Sequence, residues 1–183
     1  MNSMFRCCLA LGAALLAACA AVPGVAPVPA FDLAGRVAVR FQERGFASAV
    51  RWTQKDGSDE IWLTAPLGQT IAHLQADAAG ATLTATDQKR YRADSIESLT
   101  RSALGWRFPV SGMRYWLHGQ PAPGMAASAV ERDDAGRVTR LRQDDWQVTI
   151  NYAVTGGSPS RLEIVGSDAE IRFVIDRWGA AQP

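Results

Sequence analysis

The chain has 183 residues, with 19 lysines and arginines against 18 aspartates and glutamates, a formal net charge of +1 with both histidines neutral. That balance leaves no basic excess of the kind that nucleic-acid binding draws on. The length suits one domain of ordinary size that buries its own core.

Arg6 lies beside the amino terminus, and the apolar run Leu9 to Ala18 that follows is too short to cross a hydrocarbon core of about 30 Å as a helix, so it reads as a secretory signal. The run ends in Leu16-Ala17-Ala18-Cys19, small residues before a cysteine, which resembles the lipobox of bacterial lipoproteins. Ordinary cleavage after Ala18-Cys19-Ala20 is the competing reading, and it leaves the placement of the cysteine unexplained. The expected organisation is a signal peptide over 1–18, a lipidated amino terminus and tether over 19–30, and one domain over 31–183. Cys7, Cys8 and Arg6 all fall in the part removed, so the mature chain keeps one thiol, forms no internal disulfide, and balances 18 basic against 18 acidic side chains. Ala20 to Ala30, AAVPGVAPVPA, has three prolines and no charge. It reads as a tether, because proline is poorly placed in a first strand.

Beyond the tether, Phe31, Leu33, Val37, Val39 and Phe41 alternate with Asp32, Arg36 and Arg40, the period of a long half-buried strand. A turn at Glu43-Arg44-Gly45 leads to Phe46, Ser48, Val50 and Trp52 on one face, and Lys55-Asp56-Gly57-Ser58 leads to a strand through Ile61 and Leu63. Thr70–Ala76, Ala81–Ala85 and Lys89–Arg92 read as further strands at meander spacing. The period then changes. Asp94 and Glu97 suggest a capping arrangement for a helix through Ile96, Leu99, Ala103 and Leu104, stopped at Gly105. A second, shorter helix is predicted from Val110 to His118, with Pro109 near its start and Gly119 beyond its end. Strands return at Ala127–Arg132, Arg137–Gln143, Trp146–Val154, Arg161–Val165 and Glu170–Trp178. The prediction is mainly β with inserted helices (α+β), a curved antiparallel sheet with both helices over its concave face and a cavity or cleft between.

Nothing in the sequence assembles a catalytic centre. It has no G-x-S-x-G, Walker, H-E-x-x-H or C-x-x-C motif. His73 and His118 stand without metal-ligand neighbours, Asp133-Asp134 and Asp144-Asp145 fall at hairpin turns, and GGSPS lacks the following helix of a phosphate cradle. Six tryptophans supply broad apolar surface, for which core packing or a cavity wall are the two uses. Pro66-Leu67-Gly68 is unusual in putting a leucine at a hairpin tip. Leu67 either folds back over the core or contacts lipid, and burying one leucine is worth only about 1.5–3 kcal/mol, enough to bias a tethered domain but not to anchor it.

The lipobox, FDLAGRVAV with Gly35-Arg36, the strand ending at Trp52, TAPLGQT, YRADSIESLT, the Gly105-to-Pro109 passage running into FPVSGMRYWLHGQP, LRQDDWQV and the terminal IRFVIDRW occur in one order. Together the sequence resembles the LolB family, outer-membrane receptors that accept lipoproteins from a periplasmic carrier. The resemblance implies an unclosed antiparallel β-barrel with a helical lid over a hydrophobic cavity that binds acyl chains. It implies diacylglycerol and an N-acyl chain on Cys19, and no other cofactor, metal or catalytic activity. Leu67, flanked by Pro66 and Gly68, matches the loop leucine that delivers cargo into the bilayer. Val50, Trp52, Leu63, Leu74, Leu99, Leu104, Met113, Trp116, Trp146 and Trp178 are the candidates for the acyl cavity, with Leu99, Leu104, Met113 and Trp116 in the movable lid. The implied partners are a LolA-like periplasmic carrier, acylated lipoprotein cargo and outer-membrane lipid, met by a monomer on the periplasmic face of a Gram-negative outer membrane; Ala20 after the cysteine agrees with that address. A scaffold lipoprotein with a filled core, a soluble carrier of the same fold, and a lipid-acting enzyme are the alternatives, in that order.

Overall fold

Strand β1, Phe31–Phe41, alternates buried residues with half-buried or exposed ones as far as Arg40, as a strand covering a core on one face must. The computed structural model describes residues 30–179, so the signal peptide, Cys19 and the tether lie outside the described residues. From β1 the chain runs through β2 (Arg44–Lys55), β3 (Ser58–Thr64), β4 (Thr70–Asp77), β5 (Gly80–Ala85) and β6 (Arg90–Ala93). Helices α1 (Ile96–Leu104) and α2 (Val110–Trp116) follow, then β7 (Ala127–Arg132), β8 (Val138–Gln143), β9 (Trp146–Tyr152), β10 (Pro159–Val165) and β11 (Ala169–Gly179).

The eleven strands of the described residues form one sheet in the order β6-β5-β4-β3-β2-β1-β11-β10-β9-β8-β7, every neighbouring pair antiparallel. The first and last strands, β1 and β11, pair at the centre, and the edges β6 and β7 do not meet, so the barrel stays unclosed. At the central seam the register slips between Ala34 and Gly35. A Cβ on Gly35 would run into the carbonyl oxygen of Val174, so only glycine permits this approach of β11.

The helices fill the concave side and share one apolar cluster with the inward faces of the strands. Two details differ from the sequence reading. The cap of α1 is Ser95, not Asp94: Ser95 has the extended backbone a cap needs, and its hydroxyl accepts from Ser98 N–H at 3.1 Å. Glu97 is not part of that cap; its Oε1 accepts from Ser111 N–H at 2.8 Å, holding the first turn of α2 instead. The second difference is that α2 stops at Trp116, before His118, whose N–H turns back to Tyr115 O at 2.9 Å.

Candidate functional site

Between α1 and the concave face of β1 to β5 lies an apolar cavity of about 210 Å³. Inward positions of the strands supply most of its wall: Val37 and Val39 of β1, Val50 and Trp52 of β2, Ile61 and Leu63 of β3, Leu74 of β4, Leu83 of β5 and Phe173 of β11. Thr100 and Leu104 of α1, with Trp106 and Phe108 after it, close the other side.

Of the three side chains in this wall that carry a polar group, Thr100, Trp52 and Trp106, the first two have it engaged elsewhere. Thr100 Oγ1 donates to Ile96 O at 2.9 Å and accepts from Phe108 N–H at 3.0 Å. The Trp52 indole N–H donates to Asp59 Oδ1 at 2.9 Å. The cavity therefore offers a guest almost nothing but carbon, which suits a hydrocarbon chain and penalises a polar one. Asp59 is buried, and Arg114 of α2 ion-pairs with it, its Nε donating to Oδ1 at 3.1 Å. Burial pushes the Asp59 carboxyl above the ordinary carboxylate value, against the opposing pull of Arg114 and of the Trp52 N–H.

Of the ten residues predicted for the cavity, Val50, Trp52, Leu63, Leu74 and Leu104 are in its wall. The other five are placed elsewhere. Leu99 and Met113 are fully buried in the common core outside the wall. Trp116 is buried with its N–H on Gln143 Oε1 at 2.8 Å, tying α2 to β8. Trp146 packs over Gly166, and half-buried Trp178 meets Phe31 and His118 edge-on or tilted while donating to Pro159 O at 2.9 Å. The predicted lid is corrected accordingly. α2 is fastened to β3 through Arg114 and to β8 through Trp116, and of the two helices α1 alone presents side chains to the cavity.

The sequence reading missed Phe46 and Ile71, which stand at the cavity mouth with Leu104. These three are 42%, 39% and 47% exposed although all line the cavity. Phe46 shares the inward face of β2 with Val50 and Trp52, a signal the alternation did carry. Ile71 was not legible: strict alternation with Ala72 and Leu74 sends it outward, and the β3–β4 pairing skips it, matching Leu63 with Ala72 and Thr64 with Thr70.

Leu67 sits on the β3–β4 turn with 91% of its surface exposed, so it does not fold back over the core. Pro66 and Gly68 hold it there. Gly68 N–H closes the turn onto Ala65 O at 2.9 Å with φ +84°, a value glycine reaches without strain, and proline suits the position after Ala65.

A model of the family "Outer membrane lipoprotein LolB" matches residues 29–178, both helices and all of the sheet but its last residue, Gly179. The chain belongs to the LolB family. It is 39% identical over 153 residues to the outer-membrane lipoprotein LolB of Nitrosomonas europaea, covering 81% of this chain and 72% of that one. It is 37% identical to the LolB of Thiobacillus denitrificans, covering 85% and 84%, and 33% identical to that of Chromobacterium violaceum, covering 91% and 94%. Among solved structures, an outer membrane lipoprotein-sorting protein domain from Vibrio parahaemolyticus superposes with a TM-score of 0.50 at 11% identity, covering 84% of this chain and 86% of that one, a likeness of fold alone. As a LolB-family chain it is an outer-membrane lipoprotein of the lipoprotein-localisation system.

Proposed function

We propose that this LolB-family protein receives acylated lipoproteins from a LolA-like periplasmic carrier, holds their acyl chains in the cavity under α1, and passes them to the outer membrane, with Cys19 as the lipidated anchor and the Pro66-Leu67-Gly68 turn as the bilayer contact. The cavity carries this reading: its wall is apolar, and its mouth is bordered by exposed Phe46, Ile71 and Leu104.

At about 210 Å³ the cavity is smaller than the roughly 300–1,000 Å³ of sites that enclose a drug-sized ligand, so uptake requires α1 to move outward. α2, tied to β3 and β8, stays in place while that happens. The receptor supplies a downhill step in place of chemical energy. Each buried methylene is worth about 0.8 kcal/mol, so burying two more than the carrier does favours the receptor by about tenfold.

The test is delivery into liposomes from a purified carrier loaded with an acylated lipoprotein, by wild type and by Leu67→Glu. The expected result is transfer by wild type, and a variant that takes up cargo but fails to release it. Absence of uptake by a folded wild type refutes the receptor and supports a scaffold.

A further inference from the structure

Strand pairing fixes which end of the domain the cavity opens on. Phe46 of β2 pairs with Val39, near the far end of β1, and Thr64, where β3 ends and the Leu67 turn begins, lies level with Ala49 and Arg36. Trp106, just after α1, stacks on Phe41, the last residue of β1. Phe46 and Leu104, which precedes the Gly105 that lies against Phe41, thus put the cavity mouth toward one end, with exposed Leu67 on the turn beyond Thr64 and Ile71 level with mid-β1, whereas the chain enters the domain at Phe31, at the other. From Phe31 to the level of Phe46 is eight residues of strand, about 26 Å.

That separation constrains a protein anchored through the segment before Phe31. We propose that the length of residues 19–30 is what lets the cavity mouth, beside the Leu67 turn already assigned to the bilayer, turn toward the membrane holding the anchor. The inference rests on the receptor reading and on lipidation of Cys19. The twelve steps from Cys19 to Phe31 reach at most about 40 Å, more than the 26 Å needed to run back along β1 with the mouth toward the lipid. Deleting Ala21 to Val28 leaves four steps, at most about 14 Å, which holds the mouth away from the bilayer. A short tether is then worse than none, since an unanchored domain turns freely.

The experiment compares the full lipidated chain, the lipidated deletion of residues 21–28, and the unlipidated Cys19→Ala protein, using liposomes and a fluorescent triacylated lipopeptide. The deletion leaves residues 30–179 intact. Uptake is expected to be equal in all three, with release into the bilayer at least tenfold slower for the deletion than for either other protein, and restored by an unrelated Ala/Pro insert of eight residues. Release by the deletion within twofold of the full chain overturns the orientation and leaves the receptor reading standing. So does slow release by the Cys19→Ala protein. Failure of all three to take up the lipopeptide removes the receptor reading and this inference with it.

Discussion

Trp52 and Asp59 are joined across the β2–β3 hairpin by an indole N–H to carboxylate bond of 2.9 Å, and this bond couples the cavity wall to α2 because Arg114 ion-pairs with the same carboxylate. One face of the indole is thereby kept toward the cavity. The same carboxylate ties the helix layer to the sheet, and its burial makes the arrangement costly to break on one side only.

Asp59→Ala is therefore expected to leave both the Trp52 N–H and Arg114 without their partner and to destabilise the fold by about 3–5 kcal/mol. Urea denaturation reads this as a lower midpoint at unchanged slope. Asp59→Asn, which retains an acceptor for Trp52, is expected to lose less, and Asp59→Leu with Arg114→Met to recover part of the loss. Equal stability of Asp59→Ala and wild type would show that the carboxylate is not what holds α2 against the sheet.

The sheet was largely legible because its strands are half-buried: in β1, β2 and β11 the inward residues alternate with charges such as Arg36, Arg40, Arg172 and Asp176. The interior was less legible, since the same residue types serve a wall and a filled core. Leu99 and Thr100 are adjacent in α1 and both buried, yet only Thr100 borders the cavity. Trp52 and Trp116 are both indoles whose N–H meets a buried polar side chain, one in the cavity wall and one in the α2–β8 contact. Asp59 and Gln143, the two acceptors, follow from no local pattern, because their partners Arg114 and Trp116 come from α2, far away in sequence.

His118 sits beside Phe31 and Trp178 with its buried Nε2 unpartnered among the described residues, and burial lowers its pKa below the ordinary value of 6.5. The folded state then binds fewer protons than the unfolded state just below pH 6.5, so stability rises with pH there. The contribution is complete above about pH 6.5 and is lost as pH falls through the lowered value. His118→Gln is expected to flatten this dependence between pH 7.5 and 5.5, measured as urea midpoints of both proteins at each pH. Parallel profiles would remove His118 as the source.

Ala72 borders the cavity opposite Leu63 on the neighbouring strand, which makes it the position from which an added side chain fills the space with least disturbance. A phenyl ring there replaces empty volume by contacts, so Ala72→Phe is expected to leave stability unchanged or to raise it by about 0.5–2 kcal/mol. The ring also occupies the space assigned to an acyl chain. Uptake of a triacylated lipopeptide should fall at least tenfold, a loss of about 1.4 kcal/mol or more in binding. The two readouts must be taken together, since a misfolded protein also fails to bind. A stable Ala72→Phe protein that takes up lipopeptide like wild type would place the acyl chains outside this cavity.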